Sequence, residues 1–192
     1  MNRFKYIIFL DVDGVLNNIS HSIFMYHLLG KERHYNLMNK DYDIFDCRSL
    51  KYLGWIINEF NNDLLIVISS TWRRNINAYK KVSEKIVKYS DEWFINFAKT
   101  GVREDAVRGK EIEDFMKEYG YSDRNCNYVI IDDDDFDIIN YDGVPDYSNH
   151  FVKCDCTKGF KRKEFKRTLK ILRGEYVEPY RRNLQSNERY NR

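Results

Sequence analysis

Two carboxylates, two residues apart, are the first candidates for chemistry in this chain. Asp11 and Asp13 follow the apolar run Tyr6–Leu10, and Gly14 lets the backbone turn sharply after them. A carboxylate in such a position can attack phosphorus and form an aspartyl-phosphate, provided that a cation neutralises the charge between it and the phosphate. Asp13 can protonate the leaving group and then act as the base for the hydrolytic water.

Hydroxyl groups and further carboxylates stand at the ends of two other apolar runs. Residues 64–68, LLIVI, precede Ser69 and Ser70, and residues 128–131, YVII, precede four aspartates at 132–135. Hydroxyls can donate hydrogen bonds to phosphoryl oxygens. Carboxylates brought together repel one another unless a cation lies between them, and hard oxygen ligands of this kind favour Mg²⁺. The three clusters together indicate metal-assisted phosphoryl chemistry.

The three apolar runs must lie side by side for these groups to meet. They are short, rich in β-branched residues and without alternating polar positions, which is typical of strands buried on both faces of a parallel sheet. Helical patterns separate them, so we predict an α/β fold with a Rossmann-like parallel sheet flanked by helices and right-handed crossovers. Ligands bind beyond the carboxyl ends of such strands, where all three polar clusters lie. Four helices are predicted. The first has Leu50, Leu53, Ile57 and Phe60 on one face, the second covers residues 75–89, and the third has Ile112, Phe115, Met116 and Tyr119 on one face. The fourth has Phe165, Leu169 and Leu172 on one face and follows a weak fourth strand at residues 150–153.

Size and composition favour one folded domain. The chain has 192 residues, of which 43% are hydrophobic, enough to bury one core. We predict a single domain over residues 1–175 and a flexible basic tail over residues 176–192. No apolar run is long enough to span a membrane, and the first is too short for a signal peptide. The four cysteines are few and scattered, which favours free thiols in a cytoplasmic protein.

The order of these motifs resembles that of the haloacid dehalogenase (HAD) superfamily of phosphatases. FLDVDGV at residues 9–15 is similar to its first motif, IVIS at 66–69 to its second, the basic RGK at 108–110 to its third, and IIDD at 130–133 to its acidic fourth. The elements DGVLN, SSTWR, RGKEI and IDDD resemble more closely the HAD domain of Swiss army knife RNA repair proteins, over nearly the whole chain. The resemblance implies a Mg²⁺-dependent phosphatase with at most a minimal cap.

The resemblance assigns the acidic residues to catalysis and metal binding. It implies that Asp11 is the nucleophile and a metal ligand. Asp13 would be the acid and base, and would also bind the metal through its backbone carbonyl. Asp132 and Asp133 would complete the Mg²⁺ site, with Asp133 favoured for direct ligation.

Hydroxyl and basic residues would hold the phosphate. By the same resemblance, Ser69 donates to the phosphoryl group, with Ser70 as the alternative one residue further on. Arg108 is the catalytic cation that steadies the phosphate and the nucleophile, with Lys110 as its competitor. Trp72 and Arg73 follow the serines and are two more candidates for substrate binding, since they could stack on a base or bind a phosphate. Trp72 could equally be a core residue.

The expected substrate depends on access to the site. Neither loop after the first two strands is long enough for a large cap, so we expect an open site that suits a nucleotide or the phosphorylated end of RNA or DNA. Two alternatives stay open: a phosphatase for small metabolites with residues 18–43 as a lid, and a non-catalytic module that binds phosphorylated ends. Residues 158–173 carry eight Lys or Arg and one Glu in a chain of net charge +2. This basic segment is either a solvated helix face or a surface for a phosphate backbone. No membrane or protein partner is predicted.

Overall fold

Parallel strands form a central five-stranded sheet in the computed structural model, which describes residues 4–30, 45–92 and 94–182. The order across the sheet is β3-β2-β1-β4-β5, so the first strand of the chain lies in the middle. The strands are β1 (Tyr6–Leu10), β2 (Leu64–Ile68), β3 (Asn96–Lys99), β4 (Asn127–Asp132) and β5 (Phe151–Lys153). The α-helices are α1 (Ile19–Leu29), α2 (Cys47–Phe60), α3 (Ile76–Lys88), α4 (Arg108–Glu118) and α5 (Arg162–Leu172).

Both faces of the sheet are buried, because alternate residues of the central strands point to opposite sides. On one side, Ile8 and Ile66 belong to an apolar cluster with residues of α2, α3 and α5. On the other side, Phe9 and Val67 belong to a second cluster with residues of α4. This double burial explains why the strands lack polar positions, and it confirms the predicted α/β fold with a parallel sheet flanked by helices.

Strand register brings the three polar clusters together. Leu10 of β1 pairs with Ile68 of β2 and with Ile131 of β4. The residues that follow continue these pairings, since the amide of Asp11 donates to the carbonyl of Ile131 and the amide of Ser69 donates to that of Leu10, both at 3.0 Å. The strand ends therefore place the acids and the hydroxyls at one edge of the sheet, as the sequence predicts.

Two elements, α1 and β3, were not predicted from the sequence. The four residues of β3 form a short, partly exposed edge strand paired with β2. The apolar residues of α1 do not repeat with a helical period, and Ile23, Phe24 and Leu28 are exposed. This helix occupies the first part of the predicted lid, residues 18–30, whereas residues 31–43 of that lid lie outside the described residues.

Residues 176–182, the first part of the predicted tail, pack on the domain in this structure. The hydroxyl of Tyr180 donates to Asp135 at 2.8 Å, and its ring lies 5.0 Å from that of Phe151. Arg182 lies above the ring of Phe136 and within 3.8 Å of the Asp135 carboxylate. Apolar contact and charge pairing hold this segment on the domain despite its polar composition. Residues 183–192 of the predicted tail lie outside the described residues.

The described residues include no helix long and apolar enough to span a membrane.

The four cysteines are free thiols, as the sequence predicts. Two of them, Cys126 and Cys154, are buried, and burial raises the pKa of the Cys126 thiol to about 12.

Candidate active site

A tight turn after β1 presents the first two aspartates. The amide of Gly14 donates to the carbonyl of Asn17 at 2.8 Å, and Gly14 has a φ of +69°. A Cβ atom at this position would lie 2.2 Å from a carboxylate oxygen of Asp133. Glycine is therefore required both for the left-handed backbone and for the close approach of the Asp133 side chain.

Three carboxylates form a compact group at the carboxyl edge of the sheet. One oxygen each from Asp11, Asp132 and Asp133 lies within 4.8 Å of the others, and the first two residues are buried. Burial, followed by the charge of Asp132, raises the pKa of Asp11 well above its ordinary value. Burial also raises the pKa of Asp132 and of Asp133. Such a group of hard oxygen donors with an excess of negative charge fits a divalent cation.

Arg108, the first residue of α4, reaches into this group. Its Nη1 atom lies 3.1 Å from Asp11 Oδ1 and also contacts Asp132 Oδ2. Burial alone would lower the pKa of Arg108, but the charges of Asp132 and Asp11 raise it above its ordinary value. The backbone amide of Arg108 donates to Asp137 at 2.8 Å, which anchors the start of the helix. The guanidinium is therefore a fixed positive charge beside the buried Asp11 carboxylate.

The competing cation, Lys110, lies elsewhere. Its ammonium is 3.7 Å from the carboxylate of Asp105. Of the two basic residues, Arg108 is therefore the one whose side chain contacts Asp11. Two positions along a helix correspond to a rotation of about 200°, which explains why the two side chains leave α4 in different directions.

Asp13 is exposed and is held between two donors. Its Oδ1 atom accepts a hydrogen bond of 2.7 Å from Asn17, and its Oδ2 atom accepts one of 3.0 Å from the indole of Trp72. The ring of Trp72 packs against Phe45, with centroids 5.6 Å apart. Trp72 therefore packs against Phe45, and its indole also orients the carboxylate of Asp13.

The hydroxyls of Ser69 and Ser70 are fully buried at the end of β2. Neither Oγ atom has a hydrogen-bond partner among the described residues. A buried hydroxyl without a partner is costly, so these two groups keep unused hydrogen-bonding capacity at the end of β2. The structure leaves both serines as candidates for phosphate binding.

Arg73, a predicted substrate-binding residue, is buried in this structure. Its side chain is only 3% exposed, and its Nη2 atom lies 2.5 Å from Glu111 of α4. Its Nη1 atom donates to the carbonyls of Ser69 and Ser70 at 2.5 and 2.8 Å. Arg73 therefore fixes the backbone that carries the two serine hydroxyls, because a buried guanidinium needs a full set of acceptors.

The structure places Asp11, Asp132, Asp133 and Arg108 in one group, with Ser69 beside them. Sequence reasoning missed Asn17, which holds Asp13, and Glu111, which neutralises Arg73. Both belong to the quoted elements DGVLN and RGKEI. An acid on the inward face of α4, three residues after Arg108, was the available signal for Glu111.

One protein-family model matches a stretch of the chain that includes every residue of the candidate site. The model described as the HAD domain in Swiss Army Knife RNA repair proteins matches residues 7–165. No curated protein and no solved structure matches the chain.

Proposed function

The chain belongs to the family of HAD domains in Swiss Army Knife RNA repair proteins, and we propose that it hydrolyses phosphate monoesters through an aspartyl-phosphate on Asp11. The family points to a phosphatase-type hydrolase that acts on a phosphorylated substrate. The observation that carries the proposal is the buried Asp11 carboxylate, grouped with Asp132, Asp133 and Arg108 at the carboxyl edge of the sheet. This arrangement supplies a nucleophile, a metal site and a fixed cation in one place.

In the proposed first step, a carboxylate oxygen of Asp11 attacks phosphorus while the bond from phosphorus to the leaving oxygen breaks. Asp13 donates its proton to that leaving oxygen. In the second step, Asp13 takes a proton from water as the water oxygen attacks phosphorus, and the bond between phosphorus and Asp11 breaks. Inorganic phosphate leaves, and both aspartates return to their starting protonation states.

The remaining groups stabilise charge. Arg108 and the unpartnered hydroxyl of Ser69 can hold phosphoryl oxygens, with Ser70 as the neighbouring donor. Asp11, Asp132 and Asp133, with the backbone carbonyl of Asp13, would hold Mg²⁺, which supplies positive charge between the carboxylate and the phosphate when it is bound.

We propose nucleic-acid ends or nucleotides as substrates. The printed family name supports RNA ends, since it refers to RNA repair proteins. A small-metabolite phosphatase with the α1 region as part of a lid is the second candidate, because the exposed apolar residues of α1 follow the catalytic turn directly. A non-catalytic binding module is disfavoured because every group that the two chemical steps require is present.

A substrate panel tests the proposal directly. Phosphate release is measured from p-nitrophenyl phosphate, nucleotides and oligonucleotides phosphorylated at the 3′ or 5′ end, with Mg²⁺ and with EDTA. We expect release with Mg²⁺ and none with EDTA, and the highest specificity constant for one of the oligonucleotides. Absence of release from every ester with Mg²⁺ present would overturn the enzyme proposal, and preference for a small metabolite would favour the second candidate.

Replacing Trp72 with Phe should lower turnover of alkyl phosphate esters by roughly 10- to 100-fold, because the lost hydrogen bond would stabilise the carboxylate that Asp13 becomes as it gives up its proton, and a hydrogen bond to a charged group is worth about 1.5–3 kcal/mol. Esters with a nitrophenolate leaving group should be affected less, since that group leaves without a proton. The measurement compares kcat for the two ester types. Trp55→Phe is the matched control, because Trp55 is exposed on α2 and packs on Tyr52 and Phe165. An equal loss for both ester types would contradict this role for Trp72.

A further inference from the structure

A basic cleft lies between α5 and the segment formed by residues 176–181. It encloses about 1010 Å³. Two acidic residues, Glu164 and Glu178, also line it, so positive charges outnumber negative ones among its walls. The cationic residues that line the cleft are Lys153, Lys163, Lys166, Arg167, Lys170 and Arg181.

Four of these cations form one stripe along α5. Lys163, Lys166, Arg167 and Lys170 are spaced at i, i+3, i+4 and i+7, which places them on the same helix face. The opposite face of α5 carries Leu172 of the core, with Phe165 and Leu169 packed against that core. With a rise of 1.5 Å per residue, the stripe is about 10 Å long. A stacked nucleic-acid strand advances about 3.4 Å per nucleotide, so the stripe matches about three nucleotides.

Three of the four cations of this stripe form no ion pair within the described residues, and the charge of Glu178 acts on the fourth, Arg167. Lys163, Lys166 and Lys170 form no ion pair there. Arg167 donates through Nε to the carbonyl of Phe151 at 3.0 Å, and its buried Nη2 atom has no partner in the described part of the chain. Three of the four other basic residues of segment 158–173 are paired: Lys158 with Asp155, Lys161 with Asp46 and Arg173 with Glu59. The stripe is therefore unlike an ordinary solvated face of mixed charge.

An aromatic residue faces this stripe from the other wall. Tyr176 is 82% exposed, and Tyr180 also lines the cleft. Such rings can stack on bases without regard to sequence. The aromatic wall of the cleft comes from residues 176–181, and the basic wall comes from α5.

One end of the cleft lies beside the candidate active site. Lys153, at the carboxyl end of β5, lines the cleft and donates to Asp135 at 3.2 Å. Lys153 also pairs in register with Asp132 of β4. A strand lying along the stripe would therefore end near the group formed by Asp11, Asp132 and Asp133.

We propose that this cleft binds single-stranded nucleic acid and directs its phosphorylated end to Asp11. The lysine stripe contacts successive backbone phosphates, and Tyr176 stacks on a base. This inference rests on the proposed phosphatase function for the role of the bound end. The binding itself is a separate property of the cleft, and it is tested separately.

The test measures binding of a fluorescent, unphosphorylated ten-nucleotide RNA to the full chain in EDTA, over a range of salt concentrations. The triple variant Lys163→Gln, Lys166→Gln, Lys170→Gln should lower the affinity by about tenfold at low salt. Its slope of log affinity against log salt should fall by about 2, since each phosphate contact contributes about 0.7 on single strands. Tyr176→Ala should lower the affinity by about tenfold without changing the slope.

The matched control removes three lysines from α3, Lys80→Gln, Lys85→Gln and Lys88→Gln, and should leave affinity and salt slope within about twofold of wild type. Equal loss in the control and cleft variants, or no loss in the cleft variant, would overturn the proposal. Tighter binding of poly-glutamate or anionic vesicles than of the oligonucleotide would overturn it as well. A DNA strand of the same sequence shows whether the cleft distinguishes the two sugars. If phosphate release fails for every ester while the RNA binding follows this pattern, the proposed hydrolysis is wrong and the cleft proposal stands.

Discussion

Replacing Asp11 with Asn is expected to lower phosphate release by on the order of 10⁵-fold, because an amide cannot form the aspartyl-phosphate. The protein should remain folded. In the native protein, burial and the charge of Asp132 raise the pKa of Asp11, so its ionised form is held at a cost to stability near neutral pH. Removing that charge should therefore leave the melting temperature unchanged or higher in EDTA. The measurements are kcat with Mg²⁺ and a thermal melt.

The matched control is Asp134→Asn, in the same run of four aspartates. Asp134 is exposed and lies outside the group of clustered carboxylates. Asparagine can still accept the hydrogen bond from the amide of Phe136, so the turn should be preserved. We expect turnover within about threefold of wild type. If Asp11→Asn and Asp134→Asn reduced turnover equally, the nucleophile would have to be sought elsewhere.

Replacing Glu111 with Gln is expected to destabilise the fold by about 3 kcal/mol, because it leaves the charge of Arg73 buried without its counter-ion. Glu111 Oε2 lies 2.5 Å from Arg73, and both side chains are at most 3% exposed. For a chain of this size the melting temperature should fall by roughly 10 °C. Turnover should also fall, since Arg73 fixes the carbonyls of Ser69 and Ser70. Thermal melts and kcat at a temperature well below both transitions measure the two effects.

A second glutamate on the same helix provides the control. Glu113 pairs with Lys117 at 2.6 Å near the surface, with the lysine side chain 69% exposed. Exposed pairs of this kind contribute at most about 1 kcal/mol, so Glu113→Gln should lower the melting temperature by no more than about 3 °C. Equal shifts for the two variants would show that the ion pair of Arg73 and Glu111 does not hold the serine turn.

The parts of the fold that sequence could predict are those with strong local patterns. The runs that became β1, β2 and β4 are apolar, short and abruptly ended, because each is buried on both faces and stops at the site. The register of parallel strands then brings Asp11, Ser69 and Asp132 together without further information. The core of the candidate site was therefore predictable.

Side-chain partners distant in sequence could not be predicted in the same way. Whether Arg108 or Lys110 reaches Asp11 depends on the direction in which each leaves α4, and spacing alone does not determine this. The burial of Arg73 depends on Glu111, which lies 38 residues away. The positions of charged residues in a sequence do not show whether an arginine side chain is exposed to solvent or buried among hydrogen-bond acceptors.

The chain after α5 illustrates a second limit. Its polar composition suggests a tail, but Tyr180 supplies both an apolar ring against Phe151 and a hydroxyl for Asp135. One amphipathic residue can anchor a segment that composition alone classifies as disordered. The same docking places Tyr176 across from the stripe of α5, so the proposed binding cleft exists only in the folded arrangement.

The most direct test of the central claim is a search for the phosphoryl group on Asp11. In Asp13→Asn, the base for hydrolysis is lost, whereas p-nitrophenyl phosphate can still transfer its phosphoryl group because its leaving group needs no proton. Intact-protein mass measured after acid quenching should show one added phosphoryl group, located on Asp11 by peptide mapping and absent when Asp11→Asn is also present. Phosphate release by the wild type combined with no phosphorylated Asp11 in this variant, or with a phosphoryl group on Ser69, would contradict the account.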